Sequence, residues 1–157
     1  MKTEEYLVQA LGEMGLTVTT VESCTGGMIA AAITSVAGSS AVFKQGFVTY
    51  CDQAKHKLVG VKKRTLKKYT AVSVATAAEM ALGGAKKAKA DCCLSVTGYA
   101  GPSSGEGEMV GLVFIGCCVH GKVMVKEYHF QGDRAAVREQ AKEQALTLLK
   151  KRLQKVR

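Results

Sequence analysis

The chain has 157 residues, the size of one ordinary domain: long enough to bury a continuous core, too short for two independent ones. Apolar residues make up 47% of it and aromatics 6%, with one proline and no tryptophan, which excludes a disordered chain and asks for a core of Ala, Val, Leu, Ile and Met. The net charge of +9 gathers between Lys55 and Lys68 and in the C-terminal KKRLQKVR; such a surface attracts anions, but without interleaved aromatics it reads as solvated helix faces and not as a nucleic-acid site.

At the N-terminus, Tyr6, Leu7, Ala10, Leu11 and Met14 recur with helical spacing, and Gly15 is placed to stop that helix, which the pattern puts over about residues 2 to 15. Glu4, Glu5 and Glu13 interrupt its apolarity. No later run approaches the ~18 apolar residues a membrane span needs, so neither a signal peptide nor an anchor is expected. LTVTTVE then reads as a β-branched strand, and ESCTGG turns the chain into a small-residue helix, GMIAAAITSV.

AVFKQGFVTY is a second strand candidate, and the basic stretch from about Gln53 to Tyr69 suits one or two short surface helices. Ser73 can cap a helix with Val74, Ala77, Ala78, Ala81, Leu82 and Ala85 on its apolar face. CCLSV is a short apolar strand, followed by the turn-rich loop TGYAGPSSGEGE. GLVFIGCCV and KVMVKEYHF form a strand pair joined across His120 and Gly121. Asp133 can cap a last, long helix carrying Val137, Ala141, Ala145, Leu148, Leu149 and Val156 on one side. Strands alternating with helices and ending in a hairpin predict a single three-layer α/β/α domain with a mixed sheet over residues 1–157.

Six cysteines raise the question of disulfides, but Cys92 with Cys93 and Cys117 with Cys118 are neighbours in strand-like runs. Alternate strand residues face opposite ways, so each is expected to be a small core residue with a reduced thiol. No CxxC is present, and His56, His120 and His129 lie in no metal-ligand pattern. A cytoplasmic setting with no structural metal is the expectation.

Four segments could carry chemistry. In ESCTGG, at a strand-to-helix turn, a hydroxyl is exposed at the sheet edge and the glycines let backbone N–H groups approach an oxyanion. The alternative is a plain helix cap by Ser23 or Thr25. In YCDQAK, Tyr50 ends a strand and Lys55 follows one turn later. A serine nucleophile needs a base, no histidine is well placed, and lysine serves once desolvation or neighbouring cations such as Lys57 lower its pKa. Taken alone, Lys55 reads as one surface lysine among many. TGYAGP lies after a buried strand, at the sheet edge where open α/β folds bind ligands, or is simply a tight loop. GDRAAVR puts Arg134 and Arg138 at a helix start suited to phosphate, unless Arg138 pairs with Glu139 or Glu143 on the surface.

Together, ESCTGG, GSSAVFKQGFVTY, AK, AVS, TGYAGP and FQGDRAAVR resemble, in order and over essentially the whole chain, the C-terminal domain of the competence-damage-inducible protein family, CinA. The resemblance implies a standalone nicotinamide-nucleotide amidase that converts nicotinamide mononucleotide to nicotinate mononucleotide and ammonia in pyridine-nucleotide salvage. It implies Ser23 as nucleophile, Lys55 as base and Tyr50 as a hydroxyl linking or orienting them. Backbone donors near Thr25, Gly26 and Gly27 would hold the oxyanion, and Thr97, Gly98 and Arg134 would face the substrate, Arg134 at its phosphate. No cofactor or metal is implied, and a homo-oligomer is. The chain departs from the family pattern at SSGEGEMVG, where Ser103 and Met109 replace the usual Asp and Pro. Two rival readings are a nucleotide-binding or accessory module that has lost turnover and a thiol amidase using Cys24.

Overall fold

The β-branched run after the first helix becomes β1 (Val18–Glu22), all five residues buried, and the sheet grows on both of its edges. In this computed structural model, which describes residues 1–103 and 109–157, β3 (Cys92–Gly98) lies parallel to β1 with Val96 opposite Glu22. β2 (Phe47–Val48) lies parallel on the other edge, with Val48 opposite the same Glu22. β4 (Leu112–Val119) and β5 (Lys122–His129) continue antiparallel, giving the order β2-β1-β3-β4-β5. The hairpin between them turns on His120 (φ 49°) and Gly121 (φ 78°). Positive φ at both positions is what matches a two-residue turn to the right-handed twist of its strands.

Around the sheet stand α1 (Thr3–Met14), α2 (Met28–Thr34), α3 (Asp52–Val59), α4 (Lys63–Tyr69), α5 (Val74–Ala88) and α6 (Arg134–Val156). The expected punctuation is present. Gly15 ends α1 at φ 69°, the Ser73 hydroxyl accepts the Thr76 N–H, and the Asp133 carboxylate accepts the Ala136 N–H. Leu7, Leu11, Ile29, Ile33 and Leu149 of α1, α2 and α6 pack with Leu94, Val96 and Ile115 on one face of the sheet. Met80 and Ala81 of α5 pack with Val21, Cys93 and Cys118 on the other. This is the three-layer mixed-sheet architecture. Neighbouring cysteines do face opposite ways: Cys92 and Cys117 belong to the first cluster, Cys93 and Cys118 to the second, and all six thiols are free.

Three expectations need correction. AVFKQGFVTY is mostly not a strand. It opens in a 3-10 turn (Ser39–Ala41), touches β1 in one bridge at Phe43, and pairs again only at Phe47 and Val48. Between these points the Thr19 hydroxyl, donating to the Gln45 carbonyl at 2.7 Å, replaces the ladder. The buried face of α5 is rotated from the predicted one to Thr76, Ala77, Met80, Ala81 and Gly84, leaving Val74 exposed. Its many alanines suit either side, so they cannot report which side is buried. On α6 the buried stripe ends at Leu153, with Val156 beyond it in solvent. Of the divergent loop, residues 104–108 lie outside the described residues.

Candidate active site

Because β1, β2 and β3 are parallel, their C-terminal ends, and the segments that follow them, meet at one edge of the sheet. α2 leaves β1 over one face and α5 enters β3 over the other. Connections on opposite faces open a crevice at that edge. A cleft of about 250 Å³ lies there, lined among others by Ser23, Tyr50, Asp52, Lys55, Thr97, Gly98 and Arg134. A more open hollow of about 400 Å³ between α3 and α4, walled by Lys57, Lys63 and Lys67, contains no candidate nucleophile.

Ser23 follows β1 directly, its N–H donating to the Val96 carbonyl at 3.0 Å. Lys55 lies on α3 and is 2% exposed, at the start of the most cationic stretch of the chain. Its Nζ stands 2.9 Å from Ser23 Oγ and 2.8 Å from the Thr49 carbonyl oxygen. Among the described residues no carboxylate reaches it at ion-pair distance. Burial lowers its pKa from the ordinary 10.5, opposed by the negative field of Asp52, one turn earlier on the helix. Of the two causes the sequence offered, desolvation is the one that acts, and Lys57 does not contribute. A neutral amine here donates one hydrogen to Thr49 and turns its lone pair to Ser23, whose hydroxyl then donates to Nζ.

Tyr50 departs from its expected place between serine and lysine. The residue is 58% exposed, and its hydroxyl accepts a 2.7 Å hydrogen bond from Arg134 Nη2. Thr49, one residue earlier, orients the lysine instead, through its backbone. Arg134 Nη1 donates to the Gly101 carbonyl at 2.7 Å, so this guanidinium ties the segments after β2 and β3 together at the cleft wall. Thr97 and Gly98 line the cleft as expected, but the Thr97 hydroxyl donates to the Ala71 carbonyl at 2.8 Å, holding the chain that enters α5.

Thr25, Gly26 and Gly27 shape the turn and are not among the cleft-lining residues. Gly26 and Gly27 take φ of 54° and 108°, conformations that side-chain-bearing residues rarely adopt. The Gly26 N–H donates back to the Ser23 carbonyl. Neither Ser23 nor Thr25 caps α2. The cap is Glu22, which the sequence reading passed over: its buried carboxylate accepts the Thr25 hydroxyl at 2.8 Å and the N–H groups of Ile29 at 2.9 Å and Ala30 at 3.0 Å. An acidic residue seven positions before a helical amide carries no local cap signature. Arg138 is likewise not a surface partner of Glu139 or Glu143, which Lys142 takes. It reaches the Ser23 turn.

Cys24 is 5% exposed, and burial pushes its thiol up to about 11, which disfavours a thiolate nucleophile. Among the described residues no three His, Cys, Asp or Glu side chains converge as metal ligands would, and no helix is long and apolar enough to cross a membrane.

A sequence model described as CinA C-terminal domain matches residues 1–153. The chain is 47% identical over 151 residues to the nicotinamide-nucleotide amidohydrolase PncC of Escherichia coli K12, an alignment covering 95% of this chain and 92% of that protein. It is 49% identical to a CinA-like protein of Kosmotoga olearia, over 96% of this chain and 37% of that one. The chain thus spans little more than a third of its longer curated relatives. Among solved structures, a CinA superfamily protein of Klebsiella pneumoniae superposes with a TM-score of 0.92 at 37% identity, covering 98% of each chain. One from Escherichia coli gives 0.91 at 39% identity, over 94% of this chain and 86% of that one.

Proposed function

This chain belongs to the CinA C-terminal domain family, and from that premise we propose that it is a nicotinamide-nucleotide amidohydrolase, a hydrolase that deamidates nicotinamide mononucleotide to nicotinate mononucleotide and ammonia. The observation that carries the reading is the Ser23–Lys55 pair, a hydroxyl 2.9 Å from a buried amine that meets no carboxylate at ion-pair distance among the described residues, at the carboxyl edge of the sheet. The likeness to PncC over nearly the full length of both chains supplies the substrate.

In this mechanism Ser23 Oγ attacks the carboxamide carbon while neutral Lys55 takes its proton. The resulting lysinium gives that proton to the departing nitrogen, so that ammonia leaves and an acyl-serine remains. Water, deprotonated by the regenerated amine, then releases the acid. With the Ser23 and Gly26 amides already engaged, the amides of Cys24, Thr25 and Gly27 remain as the turn's donors for the oxyanion, Cys24 directly following the nucleophile as in other serine elbows. Arg134 faces the substrate phosphate from the cleft wall, with Thr97 and Gly98 forming the floor beside it. Tyr50 holds Arg134 and does not join the dyad.

In the same reading the enzyme feeds pyridine-nucleotide salvage in the cytoplasm, where its six free thiols stay reduced. It works without metal or organic cofactor, and as a homo-oligomer, the last on the family resemblance alone. Ammonia release from nicotinamide mononucleotide by the purified chain, in the presence of chelator, and its loss in Ser23→Ala, tests the assignment. Tight binding of the nucleotide with no ammonia from the unaltered chain would make it a non-catalytic module instead.

A further inference from the structure

Ser23 and Lys55 are held by separate supports. Lys55 is fixed by the Thr49 carbonyl and by burial on α3. Ser23 sits on an irregular turn between β1 and α2, whose own amides hold the Ser23 carbonyl, from Gly26 at 3.1 Å, and the Thr25 carbonyl, from Met28 at 3.0 Å, while among the described residues no backbone N–H reaches the Cys24 carbonyl between them. From α6, Arg138 Nε donates to the Cys24 carbonyl at 2.9 Å and Nη2 reaches the Thr25 carbonyl at 3.4 Å. One planar guanidinium therefore grips two successive carbonyls directly after the serine, a fork that lysine cannot reproduce. Arg138 lines no part of the cleft, being set behind the turn.

We infer that Arg138 is a positioning residue for the nucleophile: it clamps the Cys24 and Thr25 carbonyls from α6 and so sets where Ser23 Oγ stands relative to Lys55 Nζ. The inference rests on Ser23 being the nucleophile. Since the lysine's support is independent, loosening the turn shifts one reacting group against the other, and a misplacement of about 1 Å costs roughly a hundredfold in rate.

The test compares Arg138→Met and Arg138→Lys with the unaltered chain. Arg138→Met should lower kcat for ammonia release roughly tenfold to a hundredfold, leave KM within about twofold, and leave the midpoint of the pH–rate profile in place, because the amine's surroundings are untouched. Arg138→Lys, which keeps charge but loses the fork, should fall between, and it serves in place of Arg138→Met should that variant not fold. Added guanidinium should restore part of the lost kcat. Labelling of Ser23 by a fluorophosphonate probe, which needs no substrate, should slow in step. Unchanged kcat and labelling in Arg138→Met, a loss confined to KM, or a moved pH midpoint would overturn the inference. If the unaltered chain releases no ammonia yet its Ser23 is labelled, the substrate assignment fails and the labelling rates alone decide the role of Arg138. No labelling of Ser23 in the unaltered chain would overturn both.

Discussion

The Nζ of Lys55 lies 2.9 Å from the Oγ of Ser23 although the two residues are 32 positions apart, and its other contact is a backbone carbonyl, that of Thr49. The orienting group is therefore independent of any side chain. Thr49→Val should retain near-normal kcat and at least normal stability, since the Thr49 hydroxyl is buried with no partner among the described residues. Lys55→Arg, by contrast, should lose on the order of 10² to 10⁴ in kcat, because arginine cannot give up its proton near neutral pH. Ser23→Ala should lose as much, and the double variant no more than the worse single one, as for residues acting as a unit. Kinetics and thermal melts of these variants check both statements.

Activity should rise with pH through the lowered pKa of Lys55, since only the neutral amine can take the serine proton. Stability should follow. Between that lowered value and 10.5 the unfolded chain binds a proton that the native one does not, so stability climbs as pH rises through this window. Below it the buried cation's penalty is present in full. Lys55→Met should abolish this slope and raise Tm at neutral pH by a few degrees, about 1 kcal/mol, while ending turnover. Asp52→Asn should move the activity midpoint to lower pH. Melts and pH–rate profiles of the three proteins decide it.

Arg134 lines the cleft and is fixed there by Gly101 and Tyr50, each taking one hydrogen of a terminal nitrogen, so a phosphate would meet an already positioned guanidinium through its remaining N–H groups. Nicotinamide riboside, lacking the phosphate, should have kcat/KM roughly tenfold to a hundredfold below that of the mononucleotide, the worth of one charge-assisted contact of about 1.5 to 3 kcal/mol. Arg134→Ala should erase that preference. Equal preference before and after the substitution would remove Arg134 from the phosphate site.

Cys24→Ala should keep most of the activity. The thiol is buried, its pKa is pushed up to about 11, and it serves as packing beside the turn. Loss of turnover in a folded Cys24→Ala would revive the thiol mechanism.

Glu22 satisfies three donors that no other group replaces. Glu22→Ala should cost on the order of 3 kcal/mol, the scale of breaking a buried, charge-assisted network, whereas Glu22→Gln, which keeps one acceptor, should cost less. Denaturant unfolding of the two variants measures the difference.

What the chain's local chemistry settled by itself was the element order and its punctuation. Gly15, Ser73, the His120–Gly121 turn and Asp133 act through the few residues around them, so their backbone consequences are readable in one dimension. The same holds for the alternation that sends Cys92 and Cys93, or Cys117 and Cys118, to opposite faces. The ordered motifs were enough to recognise the family and to single out Ser23 and Lys55. Burial of Lys55 was not legible, because it opens a basic run whose other lysines face water and its own partners in space come from the segment after β2 and from the Ser23 turn. Desolvation, the cause of its lowered pKa, is a property of that packing. Glu22 and Arg138 were missed or misassigned for the same reason: their partners lie on other elements, and a carboxylate or guanidinium near a helix start looks alike in sequence whether it meets solvent, a neighbour four residues away or a backbone carbonyl across the domain. Only the parallel run of β1, β2 and β3, bringing three strand ends to one edge beneath the start of α6, decided which it would be.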